Sequence, residues 1–364
     1  MAFKVKDCVK PGVYADLEEI ASSGVPFEKL KNSTVLITGA GGFIGFHLTA
    51  ALLLRNDKYG DNIRVEALVR NKERAKKKFG ELLNRGDLTL CVQDVTKPID
   101  AEPADYVIHA ASQASNIQFE TDPVGTISAN LSGTANVLDF ALKSKSKSTL
   151  VVSSLKVYGV IYGEKNAISE SDNGYIDFTD YKNCYAMGKR ASETLAASYH
   201  NEYGLRVTLA RPSYIYGASS LEDDRVWAQF IANAVRGEDI LLKSNGAAKR
   251  SFCYVTDTAA ALLFILLKGE PVTPYNIANK ASDVTIRGFA KKACEVFPEK
   301  GMKLAFADPA DEKEPEEVPS PLRTVPEILD SSRLLALGWK PGVDLAEGIR
   351  RSVRILEEQE KQNS

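Results

Sequence analysis

The stretch Thr34 to Gly45 reads TVLITGAGGFIG, an apolar, β-rich run that enters a glycine-rich turn and continues into the helical sequence FIGFHLTAALLLRN. Gly39 permits the tight turn, Gly42 lets the backbone approach a pyrophosphate, and Gly45 lets the helix lie close to the sheet. The N-terminus of that helix presents unpaired N–H groups and the positive end of its dipole to the same point. Because a strand precedes the glycines and a helix follows them, the stretch predicts a dinucleotide-binding site rather than a generic βα turn.

Short apolar runs alternate with helical patterns downstream of this turn. Strands are expected at Thr34–Thr38, Arg64–Val69, Leu88–Val92, Tyr106–Ala111, Thr149–Ser154 and Arg206–Pro212, and long helices at Val124–Leu142 and Ala186–Tyr203. Continuous apolar strands that alternate with helices indicate a parallel sheet covered on both faces. The predicted fold class is therefore α/β, with a doubly wound parallel sheet.

Three regions are predicted along the chain. Residues 1–33 form an N-terminal extension of short helices packed on the surface, and residues 34–212 form the dinucleotide-binding domain. Residues 213–364 are expected to form mainly a smaller substrate-binding lobe, with some segments returning to the dinucleotide-binding domain. The Pro-rich and acidic run FADPADEKEPEEVPSP, Phe306–Pro321, predicts a loop or a mobile segment.

The composition argues against several classes of function. The 364 residues carry a net charge of −2, which gives no electrostatic reason to bind nucleic acid or an anionic membrane. The basic run Lys72–Lys78 is interpreted as a solvated helix face. The five cysteines and three histidines are widely spaced, so we expect no metal site, and free thiols in a reducing cytoplasm. The N-terminus has no signal-peptide pattern, and the longest apolar run, Ala260–Leu267, is too short to cross a bilayer.

The residue after the second predicted strand bears on the choice of cofactor. An acid there would bind the 2′-hydroxyl of NAD, but the sequence ALVRN places Arg70 at this position, with Lys72 and Arg74 nearby. A guanidinium attracts a 2′-phosphate, so the charge favours NADP, although an arginine also stacks on adenine without touching a phosphate. Asp94, after the third strand, is a candidate for hydrogen-bonding adenine or, equally, for capping a turn.

A second constellation follows the fifth strand. Tyr185 and Lys189 are four residues apart at the start of a predicted helix, which places both on one helix face. A nearby ammonium and a cationic nicotinamide would lower the pKa of the tyrosine from about 10 toward neutrality, so that it can take a proton from a hydroxyl. Ser154, at the end of the fifth strand, is placed to hydrogen-bond the same tyrosine oxygen.

Together these stretches resemble the extended short-chain dehydrogenase/reductases, and among them the NAD-dependent epimerase/dehydratase family that modifies nucleotide sugars. The matching motifs, in family order, are TGAGGFIG (Thr38–Gly45), DVT (Asp94–Thr96), HAAS (His109–Ser112), NLSGTANVLD (Asn130–Asp139), SSLKVYG (Ser153–Gly159), YAMGK (Tyr185–Lys189), RPSYIYG (Arg211–Gly217), KRSFCYVTD (Lys249–Asp257), YNIAN (Tyr275–Asn279) and LGWKPGVDLAEGI (Leu337–Ile349). The resemblance implies a Rossmann-type sheet, a bound NAD or NADP, a nucleotide-sugar substrate, and a homodimer joined through the two long helices.

The resemblance also implies roles for individual residues. Ser154, Tyr185 and Lys189 match the family's catalytic trio, and Lys189 would also hold the nicotinamide ribose. Arg250 matches an arginine that grips the nucleotide diphosphate, with an ion pair to Asp257 as the alternative. The expected cofactor-binding residues are Gly39, Gly42, Phe43, Ile44, Gly45, Arg70, Asp94, Val95, Ala110, Ala111, Ser112, Tyr185, Lys189 and Pro212. The expected substrate-binding residues are Lys156, Ser213, Tyr214 (where many relatives have Asn), Arg225 and Arg250.

The two residues after Ser154 bear on the reaction that follows oxidation. Dehydratase relatives carry two acids there and a decarboxylase relative keeps an acid at the second position, whereas this chain has Leu155 and Lys156. Leucine cannot move a proton, and an ammonium cannot act as a base unless burial lowers its pKa by several units. Lys156 is a candidate for binding a carboxylate or phosphate of the substrate, with a solvent-directed amine as the alternative. A lysine also stands here in relatives that resemble tyvelose-type epimerases.

The first hypothesis is therefore a cytoplasmic nucleotide-sugar epimerase that works through a transient 4-keto intermediate and recycles its nicotinamide cofactor. The alternatives are a 4,6-dehydratase or a UDP-glucuronate-type decarboxylase with a non-standard proton shuttle, an NADPH-dependent reductase, and a non-catalytic NADP-binding sensor. Cys184 is interpreted as a small filler because no His or Asp signature surrounds it, and His109 as a structural residue near the cofactor.

Overall fold

The computed structural model describes residues 3–313 and 323–363 of the chain. The strands are β1 (Thr34–Thr38), β2 (Arg64–Val69), β3 (Leu88–Val92), β4 (Tyr106–His109), β5 (Ser148–Val152), β6 (Val207–Pro212), β7 (Tyr214–Tyr216), β8 (Ile240–Leu242), β9 (Lys249–Tyr254), β10 (Pro274–Ile277), β11 (Asp283–Thr285) and β12 (Leu304–Phe306).

The helices are α1 (Val5–Cys8), α2 (Pro11–Ser22), α3 (Phe43–Tyr59), α4 (Lys72–Phe79), α5 (Asn116–Thr121), α6 (Pro123–Lys143), α7 (Cys184–Tyr203), α8 (Val226–Arg236), α9 (Val255–Lys268), α10 (Ile286–Val296), α11 (Ser332–Ala336) and α12 (Leu345–Asn363). Short 3₁₀ helices lie at Phe27–Leu30, Gly80–Asn84, Leu155–Tyr158, Tyr181–Asn183, Lys280–Ser282, Pro298–Lys300 and Pro309–Glu312. The strands and long helices predicted from the sequence are all present, within a few residues at each end.

One seven-stranded sheet has the order β3-β2-β1-β4-β5-β6-β10, and each neighbouring pair is parallel. Successive residues of β1 face opposite layers. Val35 and Ile37 join the core beneath α3 and α9, while Leu36 joins the core beneath α6 and α7. This two-sided burial confirms the predicted doubly wound α/β fold. In a parallel sheet all the strands end at one edge, so the residues after β1, β4, β5 and β6 meet there.

The smaller C-terminal part is built on two short sheets. β11, β9 and β7 form a three-stranded sheet, and β12 pairs with β8. The predicted boundary at residue 212 coincides with the end of β6. From beyond that boundary, β10 returns to pair with β6 in the large sheet, and α9 packs on β5 and β6.

The N-terminal extension packs more deeply than the sequence predicted. In α2, Leu17, Ile20 and Ala21 have no exposed surface, and the helix packs against α3, α9 and α12. Inside this contact the Tyr254 hydroxyl donates a hydrogen bond to Asp16 Oδ2 at 2.7 Å. The helix α2 therefore packs its apolar face against the core between the two parts of the fold, while its other face stays exposed.

Three segments singled out by composition have clear positions. Ala260–Leu267 lies in α9, where every residue from Val255 to Leu267 is buried. Among the residues described, no helix is both long and apolar enough to span a membrane. Lys72–Lys78 lies in α4 and is mostly exposed, as predicted. The acidic run Phe306–Pro321 contains a 3₁₀ helix at Pro309–Glu312, and its residues 314–321 lie outside the described part of the chain.

Candidate active site

The glycine turn between β1 and α3 is packed so closely that side chains would not fit. Gly39 has a φ of +70°, and a Cβ there would lie 2.8 Å from the Ala111 Cα. A Cβ on Gly45 would lie 2.3 Å from the Gly39 carbonyl oxygen. Gly42 precedes the first residue of α3, Phe43, and no side chain caps this helix N-terminus. The open N–H groups and the close backbone approach fit a dinucleotide pyrophosphate.

Replacement of Gly45 by alanine is expected to weaken cofactor binding, because the new methyl group meets main-chain atoms that cannot rotate away. Overpacking costs about 1–3 kcal/mol, so we expect the affinity for NAD to fall about tenfold or more. Titration calorimetry of Gly45→Ala would measure this. Gly86→Ala is the matched control, since a Cβ on Gly86 meets no atom within 4 Å. Equal NAD affinities in the two variants would contradict the assignment.

The other cofactor-binding candidates line the same edge of the sheet. The Ala110 and Ala111 N–H groups donate to the Thr38 carbonyl at 3.3 Å and to its hydroxyl at 3.2 Å, which holds the end of β4 against β1. The Ser112 hydroxyl donates to Asn130 Oδ1 at 3.0 Å. The structure also places Ile44 in the first turn of α3, Val95 beside Gly133, and Pro212 at the end of β6.

Arg70 and Asp94 follow neighbouring strands at the rim of this site. Asp94 Oδ1 accepts hydrogen bonds from the Thr96 N–H at 2.9 Å and the Thr96 hydroxyl at 2.8 Å. These bonds, with a smaller contribution from the charge of Arg70, hold the pKa of Asp94 below its ordinary value. Asp94 therefore caps a turn. The preference for NADP stays a prediction, which rests on the charge of the exposed Arg70.

The three predicted catalytic residues come together where β5 ends and α7 begins. Tyr185 lies in the first turn of α7, and the Ser154 side chain hydrogen-bonds its hydroxyl. Lys189, one turn later, donates from Nζ to the Val152 carbonyl at 2.7 Å. Phe119 of α5 stacks on the Tyr185 ring with centroids 4.8 Å apart. The trio is assembled, and Phe119 is a wall of the site that no sequence pattern indicated.

Burial dominates the proton affinities in this trio. It raises the pKa of Tyr185 and outweighs both the Ser154 hydrogen bond and the charge of Lys156. It also lowers the pKa of Lys189 to about 8. In the protein alone Lys189 Nζ bonds a main-chain carbonyl and lies 5.8 Å from the phenol ring centre. The lowering of the tyrosine pKa by an ammonium together with a cationic nicotinamide stays a prediction. The cation that acts on Tyr185 is Lys156.

A group of four polar residues lies next to the trio, and we name Lys156, Tyr214, Arg250 and Glu327 the Lys156 cluster. Lys156 Nζ donates to Glu327 Oε1 at 2.9 Å and to the Tyr214 hydroxyl at 3.0 Å. The Tyr214 hydroxyl donates to Glu327 Oε2 at 2.6 Å, and Arg250 Nε lies 2.8 Å from that oxygen. The solvent-directed alternative for Lys156 is therefore wrong, as is the pairing of Arg250 with Asp257.

Glu327 is the member of this cluster that sequence reasoning missed. Residues 323–331 lie between the segment 160–168 and β9. The Ser251 N–H donates to the Glu327 carbonyl at 3.0 Å, and the Val325 N–H donates to the Ile161 carbonyl at 2.8 Å. This backbone pairing carries the Glu327 side chain to a lysine 171 positions away in sequence. No motif or spacing signals such a contact.

The partners within the Lys156 cluster determine its charges. Burial disfavours charged Lys156, but Tyr214 and Glu327 outweigh that effect and raise the pKa of the amine. Burial also works against a charged Glu327, but Lys156 and Arg250 outweigh it and lower the pKa of the carboxyl. The cluster therefore holds two cations and one anion, with one positive charge in excess. Lys156 stays an ammonium, which binds an anion or donates a proton but does not act as a base.

The remaining substrate-binding candidates differ in how fully they are engaged. Ser213 Oγ is buried and has no hydrogen-bond partner within the described part of the chain. Arg225 Nε donates to Asp223 at 2.9 Å, and its guanidinium lies 4.6 Å from the Trp227 ring centre and 5.8 Å from that of Phe43. Arg225 thus lies beside the N-terminus of α3 and is already paired.

His109 and Cys184 are structural residues, as predicted. The two ring nitrogens of His109 hydrogen-bond Thr38 at 2.8 Å and Thr134 at 3.2 Å, and burial lowers the pKa of the ring to about 3. Burial raises the pKa of the Cys184 thiol, which is directed at the Phe119 carbonyl. His109 is therefore held neutral by its partners, and Cys184 is held as an unreactive thiol.

An open cleft of about 1610 Å³ passes the Lys156 cluster. Its walls come from the segment 159–172, from β9 and β11, and from residues 323–332. Lys249, Arg250, Lys280 and Glu327 are among its charged residues. Arg250 and Glu327 are the members of the Lys156 cluster that line the cleft, which is large enough for a sugar-sized or larger ligand.

Comparisons with known proteins agree with this architecture. A family model described as the NAD dependent epimerase/dehydratase family matches residues 35–278. UDP-glucuronic acid decarboxylase 6 of Arabidopsis thaliana is 33% identical over 322 residues, which are 87% of this chain and 87% of the relative. The solved UDP-glucose 4-epimerase of Thermotoga maritima has a TM-score of 0.71 at 22% identity, over 90% of this chain and 99% of its own. The dTDP-glucose 4,6-dehydratase of Bacillus anthracis in complex with NAD has a TM-score of 0.72 at 17% identity, over 90% and 98%.

Proposed function

Because this chain belongs to the NAD-dependent epimerase/dehydratase family, we propose that it decarboxylates a nucleotide-linked uronic acid, with UDP-glucuronate as the first candidate. The observation that carries the proposal is the excess positive charge of the Lys156 cluster, which suits a sugar that bears a carboxylate. The UDP-glucuronic acid decarboxylases among the relatives support it. The epimerase that the sequence analysis placed first is less well supported and becomes the second candidate.

Ser154, Tyr185 and Lys189 carry out the oxidation half of the proposed reaction. When bound between the glycine turn and Lys189, the nicotinamide supplies reversible oxidation at a sugar carbon. Tyr185 would take the proton of the C4 hydroxyl as a phenolate, the form that the charges of Lys156 and of a bound oxidised nicotinamide favour against burial, and Ser154 holds the phenol oxygen in place. Phe119 packs flat on the Tyr185 ring and restricts its rotation. The product of this half is a sugar with a ketone at C4.

A ketone at C4 turns a uronic acid into a β-keto acid. The C5–C6 bond breaks, carbon dioxide leaves, and the electron pair of that bond passes to the C4 oxygen as an enolate. Arg250, for which the family resemblance implied a diphosphate contact, is here assigned together with Lys156 to the carboxylate. The Lys156 ammonium then protonates C5, which returns the enolate to the ketone, and the amine regains its proton from solvent. The C4 ketone is reduced again as Tyr185 returns its proton. No base is needed after Ser154, so Leu155 and Lys156 are compatible with this reaction and disfavour the usual dehydration.

The second candidate is epimerisation at C4. The observation that favours it is the absence of an acid at residues 155 and 156, because an epimerase only has to turn its keto intermediate before reduction. The hydrogen-bonded Ser154–Tyr185 pair argues against a non-catalytic sensor. A reductase that consumes free NADPH rests on the charge of Arg70 alone.

The test is product analysis with a panel of nucleotide sugars that includes UDP-glucuronate and, as the neutral matched substrate, UDP-glucose. We expect the mass of the uronate to fall by one carbon dioxide without net use of NAD. Unchanged mass with an inverted sugar centre in the NMR spectrum would instead identify the epimerase. Loss of one water from UDP-glucose would identify the dehydratase, and either result would overturn the proposal.

We also propose that the chain is a cytoplasmic homodimer joined through α6 and α7. The two helices pack along each other. Leu131 of α6 and Leu195 of α7 line one shallow apolar surface that spans both helices, and Val124 at the start of α6 is 73% exposed. An apolar surface across two long helices is suited to a second copy of the same pair.

A further inference from the structure

We propose that Glu327 is a positioning residue for the second half of the reaction, which it serves by holding Lys156 and Arg250 at a fixed separation on the substrate carboxylate. The inference rests on the proposed function and adds a residue to it. Glu327 accepts three hydrogen bonds or ion-pair contacts, from Lys156, Tyr214 and Arg250. Both cations also lie over the Tyr214 ring, at 5.4 Å and 5.5 Å from its centre. The Glu327 carboxylate and the Tyr214 ring together restrict the positions of the Lys156 ammonium and the Arg250 guanidinium.

The Glu327 side chain is not needed to hold its own segment. Residues 323–331 are anchored by main-chain bonds: the Ser251 N–H donates to the Glu327 carbonyl at 3.0 Å, and the Ile168 N–H donates to the Ile328 carbonyl at 2.7 Å. The Leu329 N–H adds a bond to the Ser251 hydroxyl at 3.0 Å. Because these bonds fasten the backbone on both sides of position 327, the carboxylate is available for a task inside the cleft.

The exposure of the cluster fits a site that is completed by a ligand. The side chains of Glu327, Arg250 and Lys156 are 23%, 26% and 41% exposed. Glu327 is thus the most enclosed of the three, while the Lys156 side chain is the most exposed. A carboxylate beneath two cations keeps them from repelling each other apart, and it leaves their outer donors free for a second anion. From α7 the Tyr185 phenol faces the cluster, because the charge of Lys156 acts on it. The residues proposed for the two halves of the reaction are therefore neighbours.

The first experiment compares Glu327→Gln with the wild type on UDP-glucuronate. We expect the rate of carbon dioxide release to fall about 100-fold, since misplacing a positioned group by about 1 Å has an effect of that size. KM is expected not to rise, because the variant has a greater excess of positive charge for the anionic sugar. Formation of the reduced nicotinamide in a single turnover is expected to change only a few-fold, because Glu327 does not contact Ser154 or Tyr185.

The matched control is Glu295→Gln, which removes a carboxylate from an exposed ion pair. The Lys292–Glu295 distance is 2.7 Å, close to the 2.9 Å between Lys156 and Glu327. We expect this control to match the wild type in every measurement. Thermal melting of both variants shows whether they are folded. If Glu327→Gln releases carbon dioxide at the wild-type rate, or if oxidation and release fall by the same factor, the positioning role is overturned.

A charge exchange keeps the inference testable even if the single variant folds poorly. In Lys156→Glu/Glu327→Lys the ion pair is re-formed with its members reversed. We expect the double variant to release carbon dioxide at least about tenfold faster than Lys156→Glu alone, since pairs in contact are strongly non-additive. A double variant no faster than that single variant would overturn the inference. Wild-type enzyme that releases no carbon dioxide would overturn the proposed function itself, so the two failures are distinguishable.

Discussion

Tyr185→Phe is expected to lower kcat about 1,000-fold, within the range that general acid–base groups contribute. The phenol oxygen is the only atom lost, and it is the atom that Ser154 hydrogen-bonds. The phenyl ring still stacks on Phe119, so the fold and the affinity for the nucleotide sugar are expected to be preserved. The measurement is product formation under saturating substrate, together with reduced nicotinamide in a single turnover, because both depend on removal of the same proton.

Tyr181→Phe is the matched control for this variant. Tyr181 lies in the 3₁₀ helix just before α7 and is 56% exposed, so the loss of its hydroxyl is expected to leave kcat unchanged. A Tyr185→Phe enzyme that retains more than about a tenth of the wild-type rate would contradict the assignment of Tyr185 as the acid–base group. Such a result would also remove the mechanistic basis of the proposed decarboxylation.

Arg211→Met is expected to destabilise the protein by about 3–5 kcal/mol, because it leaves a buried carboxylate without its partner. Arg211 donates to both oxygens of Glu193, at 2.9 Å and 2.6 Å, and the two side chains are 13% and 12% exposed. Glu193 also accepts a hydrogen bond from the Ser153 hydroxyl, and Arg211 donates one to the Tyr158 hydroxyl at 3.0 Å. The network holds Ser153, which directly precedes Ser154, and Tyr158, which ends the 3₁₀ helix after it.

Denaturant unfolding measures the loss, and the double variant Arg211→Met/Glu193→Leu provides the comparison. The double variant is expected to be more stable than Arg211→Met, since it removes the unpaired charge along with the pair. Its kcat is still expected to fall, because Ser153 loses the partner that holds the turn before Ser154. Additive losses of stability in the two single variants and the double would contradict the coupling.

The parts of this molecule that depend on neighbouring residues were accessible from the sequence. The glycine turn at Gly39 to Gly45 is dictated by backbone sterics over a few residues, and its consequence, a helix N-terminus open to a phosphate, follows locally. Tyr185 and Lys189 share a helix face because of the helical repeat, and Ser154 ends a strand whose edge position is common to every parallel strand. The alternation of strands and helices was sufficient for the parallel sheet.

The electrostatic environment of the site residues was harder to predict from the sequence, because it depends on burial and on every neighbouring charge. Helical spacing indicated Lys189 as the cation near Tyr185. In the structure Lys189 bonds the Val152 carbonyl, and the charge of Lys156, which helical spacing did not indicate, also acts on the phenol. Burial then raises the pKa of the tyrosine in the protein alone, whereas helical spacing suggested only the opposite effect. Arg250 was predicted to bind the substrate, with an ion pair to Asp257 of the same motif as the alternative, and its partner in the structure is Glu327.

The amino-acid sequence alone thus determined the fold class, the glycine turn and the positions of the three predicted catalytic residues. Each of these arises from contacts between residues close in sequence or from the regular repeat of a strand or helix. The charge of Lys156 and the chemistry open to it were decided by folding, which brings Glu327 across 171 positions through the pairing of residues 323–331 with β9. A lysine alone is a solvated cation. A lysine held by a carboxylate and a phenol, beside an arginine, belongs to a cluster with one positive charge in excess, which we propose as the substrate-binding site. Long-range backbone pairing is the physical reason that this cluster exists.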